Sequence, residues 1–346
     1  MSRLSARKYC AVVGVFLAMA AAAVLLAPLV GLEKIDSIDA LGEWVRNPSA
    51  RPVDVDILIY IRLPRIFLGL LAGAGLAAVG AVFQALLRNP LATPYTLGVA
   101  SGGSFGAVVA YYLAELVPGM AAAWGPVSLV QLFAFAGSLL AIILIYMLAR
   151  TGGRLSTNEL LLAGVTMGLI FSALIMAARY FASPGLLANM DRWMIGQLSW
   201  ATWRDVEMLA VLVMPALAGM LALARPLDQL ALGEELAGGR GVNVTRLQVW
   251  AFLLGSLATG SVVAVAGPIG FVGLLVPHAV RRIVGPGHVL LLPCVMLGGG
   301  AFLIACDTAA RTMWHAAELP VGILTALLGG PFFIGLLIRG RRTGKG

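Results

Sequence analysis

Few residues in this chain could make or break bonds, and their spacing assembles none of them into a reactive set. The 346 residues include three histidines and three cysteines. His278, His288 and His315 form no HExxH or comparable metal-binding cluster. Cys10, Cys294 and Cys306 form no CxxC pair and lie in or beside apolar stretches, where free cysteine acts as a small packing residue. The string Gly73-Ala74-Gly75-Leu76-Ala77-Ala78 has the outline of a dinucleotide fingerprint, but it sits inside a helical stretch with no strand before it. No Walker A sequence occurs, so ATP is not bound by that means. No catalytic residue, metal or cofactor is expected in this chain.

The elements that would position such residues are membrane spans. Apolar residues make up 60% of the chain and charged ones 12%, with mean hydropathy +0.95. A soluble domain carries roughly 25% charged residues to solvate its exterior. The formal charge of +8 is not gathered in any basic run of the kind that binds nucleic acid. Apolar stretches bounded by charge, proline or glycine fall near 10–31, 66–87, 97–113, 127–149, 160–182, 206–224, 248–266, 269–284, 289–306 and 320–338. Each comes close to the roughly 17 to 25 residues a spanning helix needs. The eighth, with Pro268 and Pro277, fits least well. The first follows Arg3, Arg7 and Lys8 and is longer than a signal-peptide core, so it reads as a retained helix.

Charge orients these ten spans. With both termini inside, 15 of the 24 basic residues fall inside with four acids, and nine fall outside with twelve acids. That excess is the one the positive-inside rule requires. Small residues at four-residue spacing, such as Gly69 and Gly73, Gly102 and Gly106, and Gly164 and Gly168, suit close helix packing where lipid supplies no hydrophobic drive. Asn89-Pro90 and Thr93-Pro94 read as a rigid extended link, and Pro184-Gly185 to Gly196 as an irregular stretch.

Charged residues sit at span ends, as with Glu159, Arg179, Glu207 and Asp307. An ion-coupled carrier places Asp, Glu or His at mid-membrane to bind its coupling ion. Active transport here would therefore draw its energy from a partner. The inner segment from Arg225 to Arg246 could receive it. Leu230 to Ala237 can form a short helix, and Gly238, Gly239 and Gly241 then force a turn. An ordinary solvated connector is the plainer reading, although connections of this length are often functional.

Taken in order, several motifs give the chain a family likeness. They are Arg62-Leu63-Pro64-Arg65, Gln84 with Asn89-Pro90-Leu91-Ala92, Leu97-Gly98-Val99, and Leu232-Gly233 with Gly241-Val242. Gly267-Pro268-Ile269-Gly270-Phe271-Val272-Gly273-Leu274 follows, running into Pro277-His278 and Arg281. Asp307 with Arg311 and then Glu318-Leu319-Pro320-Val321-Gly322 close the set. From about Arg62 to Leu337 the chain resembles the iron-chelate, haem and cobalamin permeases of type II ABC importers.

The resemblance implies an all-α polytopic membrane protein of about ten transmembrane helices, both termini cytoplasmic, forming one permease domain over 1–346. It implies a homodimer in a bacterial inner membrane, two ABC ATPase subunits holding ATP and Mg, and a periplasmic or surface-anchored binding protein. By the same resemblance Leu232, Gly233, Glu234, Glu235, Ala237, Gly238, Gly241 and Val242 would couple to the ATPase. Arg62, Arg65 and Arg311 would dock the binding protein. Leu162, Thr166, Ile170 and Met176, on the fifth span, would line the path or gate.

Plainer roles stand beside these. Arg62 and Arg65 could anchor a helix start at lipid phosphates. Asp307 and Arg311 could pair as i,i+4 neighbours, and Glu318 could sit on the positive end of the last helix's dipole. The expected cargo is an iron chelate, a ferric siderophore or haem, with cobalamin as the alternative. Arg192-Trp193-Met194-Ile195-Gly196-Gln197-Leu198 departs from the Gly-Ser-Leu form associated with many siderophore permeases. An ion-coupled secondary carrier is the reading from a different class.

Overall fold

The computed structural model describes residues 6–31, 44, 52–117, 128–151, 154, 155, 157–313 and 318–343. Among them are thirteen helices: α1 (Ala6–Leu26), α2 (Val53–Leu86), α3 (Val99–Leu116), α4 (Leu129–Ala149), α5 (Thr157–Phe181), α6 (Pro184–Met194), α7 (Trp203–Ala222), α8 (Ala224–Leu230), α9 (Glu234–Gly239), α10 (Val244–Ala266), α11 (Val272–Val284), α12 (His288–Thr312) and α13 (Val321–Thr343). A two-residue antiparallel ladder, Arg150–Thr151 with Arg154–Leu155, joins α4 to α5. Each of the ten apolar stretches holds one helix, and among the described residues seven of those helices are long and apolar enough to cross a membrane. The eighth stretch gives only the 13 residues of α11.

α2 is the central post. It packs against α7, α10, α11 and α12, and 83% of its apolar window is buried, against 17% for α1. Its sequence allows this, because small or apolar residues surround the whole circumference, the pattern of a helix buried on all sides. A side-chain carbon at Gly73 would lie 2.2 Å from the carbonyl oxygen of Gly299 on α12. On the neighbouring pair, one at Gly102 of α3 would lie 2.5 Å from Ala141 Cβ of α4. Backbones meet at both crossings, which is the close packing the glycine spacing implied.

Two prolines, Pro277 and Pro64, are answered by side chains from elsewhere. Pro277 brings no N–H to the carbonyl of Gly273, and the buried Gln84 of α2 donates to that oxygen instead at 3.2 Å. Before Pro64, α2 widens into a π turn over Ile57–Arg62. An i→i+5 bond would take the N–H of Pro64 to Ile59, and the indole N–H of Trp203 fills that place at 2.8 Å.

Four local expectations are corrected. The Asn89–Leu97 link is a run of compact turns, since the Asn89 side chain accepts from Leu91 N–H and Thr93 and Thr96 bond each other's backbone N–H groups. The stretch after Pro184 is helical, with Pro184 in the first turn and Ser183 as N-cap. The inner connector breaks at Gly233, at φ +125°, so Leu230–Ala237 divides between α8 and α9. Cys294 and Cys306 are buried as expected, whereas Cys10 is exposed.

Candidate functional site

Contacts sort the helix ends into two groups that match the charge-based sides. At the end assigned inside, Arg88 reaches Leu230 and Glu234, and Asp228 bonds His288. At the end assigned outside, Gln131 bonds Asp205, Ser183 bonds Glu115, and Arg65 binds Asp307 and Glu318.

The inner connector forms a compact knob. Leu227 and Leu230 of α8 are buried in the bundle. Gly233 then turns the chain into α9, where Ala237 is the pivot: it is fully buried, and its carbonyl accepts from both Arg240 and Val242 N–H. Gly241, at φ +85°, completes the turn, and Asn243 caps α10 through Arg246 N–H. Around the pivot Leu232, Glu234, Glu235, Gly238 and Gly241 are exposed, while Gly233 and Val242 are half-buried. Leu236, which the motifs did not single out, is 58% exposed on the same knob. Its spacing from Leu232, i to i+4, was the available signal.

α5 has one packed and one open face. Leu160, Ala163, Met167, Phe171 and Ile175 are buried, and the helix packs on α3 and α4. Leu162, Thr166, Ile170 and Met176 all fall on the open face, with Val165, Leu169 and Leu174 beside them. An apolar face this long is covered by lipid or by another protein surface.

The outer arginines turn inward. Arg62, Arg65 and Arg311 are 6%, 5% and 3% exposed. Arg65 donates from Nε and Nη2 to the two oxygens of Asp307, at 2.8 and 3.0 Å, and from Nη1 to Glu318 at 2.7 Å. Arg62 donates to the Pro28 carbonyl, and Arg311 to the Ala27 carbonyl and, at 3.3 Å, to Thr308 Oγ1. These guanidiniums fasten the turn just after α1, Ala27–Leu29, to α2 and α12. The expected i,i+4 pair is displaced, because Arg65 takes the Asp307 carboxylate from across the bundle.

An outer cavity of about 360 Å³ lies among α2, α3, α4, α6, α7 and α10. Arg192, Trp193 and Gln197, from the segment that departs from the siderophore pattern, help to line it, with Asn189 and Trp200. The three histidines do not meet: His278 stacks edge-on against Phe332, His288 bonds Asp228, and His315 lies outside the described residues. Among the described residues no His, Cys, Asp or Glu cluster could hold a metal ion.

A model of the FecCD transport family matches residues 10–339. The chain belongs to that family. The cobalamin import system permease protein BtuC of Halobacterium salinarum is 44% identical over 281 residues, covering 80% of this chain and 72% of the relative. The hemin transport system permease protein HmuU of Yersinia pestis is 38% identical over 301 residues, 87% of this chain and 88% of the relative. In structure the chain is similar to a metal-chelate type ABC transporter solved in an inward-facing conformation, with TM-score 0.79 and 27% identity over 96% of this chain and 99% of that one. This FecCD chain is thus a multi-pass, all-helical permease subunit of an ABC importer.

Proposed function

We propose that this FecCD permease carries a bulky metal chelate inward across a bacterial inner membrane, as a homodimer driven by two ABC ATPase subunits. The observation that carries the reading is the inner knob. Its surface offers Leu232 and Leu236 beside Glu234 and Glu235, held on the buried Ala237 pivot. An exposed apolar pair on a rigid, charged projection suits a protein groove better than solvent. Residues 225–246 are therefore read as the contact with the ATPase, where ATP and Mg would be held.

The open face of α5 is read as the surface that meets a second copy and lines the path. Leu162, Thr166, Ile170 and Met176 present apolar and hydroxyl groups, a chemically undemanding wall for a large cargo. A binding protein would dock at the outer ends. The buried arginines would act there by holding the surface of α2, α12 and the turn after α1 in shape, with the half-exposed Glu318 at its edge.

Iron chelates are the first cargo reading. Cobalamin is the second, and the 44% identity to a cobalamin permease favours it. The test is ATP hydrolysis by the permease reconstituted in lipid with its ATPase and binding protein, across ferric siderophores, haem and cobalamin. Stimulation by one ligand alone names the cargo. Failure to form a complex with the ATPase would return the chain to an ion-coupled carrier.

A further inference from the structure

α12 is tied at both ends by hydrogen bonds to charged groups, and the inner tie falls on the connector. Asp228 of α8 turns Oδ1 toward two nitrogens of His288, the backbone N at 2.6 Å and the ring Nδ1 at 2.7 Å. A carboxylate oxygen can only accept, so Nδ1 carries a proton and donates it. His288 opens α12, and its N–H is one of the donors a helix leaves unpaired at its start. The residue before it, Gly287, has no side chain to cap that start. A second helix supplies the cap instead.

Apart from the chain itself, which runs from α7 into α8 through Leu223, the other links between α8 and the bundle are poorer at holding position. Leu227 and Leu230 are buried, but apolar contact is non-directional. Arg88 reaches the Leu230 carbonyl at 3.3 Å and Glu234 at 3.9 Å, and both side chains of that ion pair are about half exposed, where such pairs contribute little. His288 is buried and Asp228 partly buried, at 5% and 18% side-chain exposure, so their bonds are less screened than those of Arg88.

From His288 one continuous helix, with Pro293 inside it, runs outward. α12 meets α2 backbone to backbone at Gly73 and Gly299, which limits sliding between them. At the outer end Asp307 binds Arg65, which also binds Glu318, just before α13. In the first turn of α13, Gly322 N–H bonds the Gly196 carbonyl, between α6 and α7. An axial shift of α12 therefore reaches both the outer charge cluster and the rim of the outer cavity.

We propose that the Asp228–His288 pair is the joint that passes displacement of the 225–246 segment to α12 and so to the outer face. Asp228 is a positioning residue in this role. The inference rests on reading that segment as the ATPase contact, and two separate regions report on the two claims.

The experiment is hydrogen exchange by mass spectrometry on the permease–ATPase complex in lipid nanodiscs, with and without trapping by ATP and vanadate. No cargo is needed. In wild type, trapping should change exchange both in 225–246 and at the outer end of α12, residues 306–313. In Asp228→Ala the change at 225–246 should persist while that at 306–313 falls about tenfold, as loss of charge-assisted bonds implies. Asp228→Asn keeps an acceptor oxygen and should restore most of the outer response, which a general loss of packing would not explain.

An undiminished response at 306–313 in Asp228→Ala overturns the joint. If that variant does not fold, His288→Ala, which keeps the backbone bond, should lower the outer response in part, and no change there overturns the proposal. A wild-type complex with no response in 225–246 removes the ATPase-contact reading and the joint with it. A response there without one at 306–313 removes the joint alone.

Discussion

Arg65 and Asp307 stand 242 positions apart in sequence, yet two hydrogen bonds of 2.8 and 3.0 Å join them at the outer end of the α2–α12 pair. Both side chains are at most 6% exposed. Breaking a buried ion pair by removing one partner strands the other's charge, a loss of about 3–5 kcal/mol. Arg65→Ala should therefore lower the thermal unfolding temperature of the purified permease, whether or not a binding protein is present. Arg65→Lys should recover only part, since an ammonium cannot match the two-oxygen geometry. Normal stability of Arg65→Ala with selective loss of binding-protein affinity would restore docking as its direct role.

The knob should behave in the opposite way. Leu232 and Leu236 are at least half exposed, so Leu232→Asp with Leu236→Asp should change stability by no more than about 0.5 kcal/mol per site. Co-purification with the ATPase should nevertheless be lost. Retained association of the double variant would remove the knob from the interface.

The open face of α5 can be tested with cysteines placed singly at Leu162 and Met176. Both positions are about 70% exposed in the isolated chain. If two copies meet there, oxidation should give crosslinked dimers and stop ATP-driven import, and reduction should restore it. Efficient crosslinking with full import would separate this face from the gate.

Asp228 gives stability a pH dependence of defined sign. Burial alone would raise its pKa, but the hydrogen bonds from the His288 ring and backbone N–H outweigh that and hold it below its ordinary value of 3.8. A carboxyl lowered in the folded state contributes stability above its unfolded pKa and loses it as pH falls through the folded value. The difference in unfolding temperature between wild type and Asp228→Ala should hold from about pH 7 to pH 5 and shrink below about pH 4. A difference that grows on acidification would contradict the assignment.

Two glycines should respond differently to one added methyl group. At Gly102 the new carbon would lie 2.5 Å from Ala141 and 2.7 Å from the Gly137 carbonyl, with rigid neighbours. At Gly168 nothing would come closer than 3.8 Å. Gly102→Ala should destabilise by about 1–3 kcal/mol, as overpacking does. Gly168→Ala should be neutral in the same thermal unfolding assay.

Most of the fold was legible in the chain because each span carries its own signal. Length and apolarity set the ten stretches, the lysine and arginine count gave their expected direction, and glycine spacing marked close crossings at Gly73 and Gly102 but not at Gly168. Ordered motifs identified the family and the connector. These are properties of single segments, and a bilayer reads them segment by segment.

The tertiary structure alone decided which side chains meet. Arg62, Arg65 and Arg311 read as outward charges because a string of letters shows a cation but not its partner, and those partners come from the turn after α1, from α12 and from the approach to α13. Asp307 and Arg311 had the spacing of a local pair, yet Arg65 arrives from across the bundle with a better geometry. Gln84 stood in a motif with no partner visible, and Trp203 in none, until their donors met carbonyls left without a partner by Pro277 and Pro64. His288 and Asp228 lay 60 positions apart with nothing to connect them. A hydrogen bond requires two groups within about 3 Å, and chain folding, not sequence distance, sets that separation.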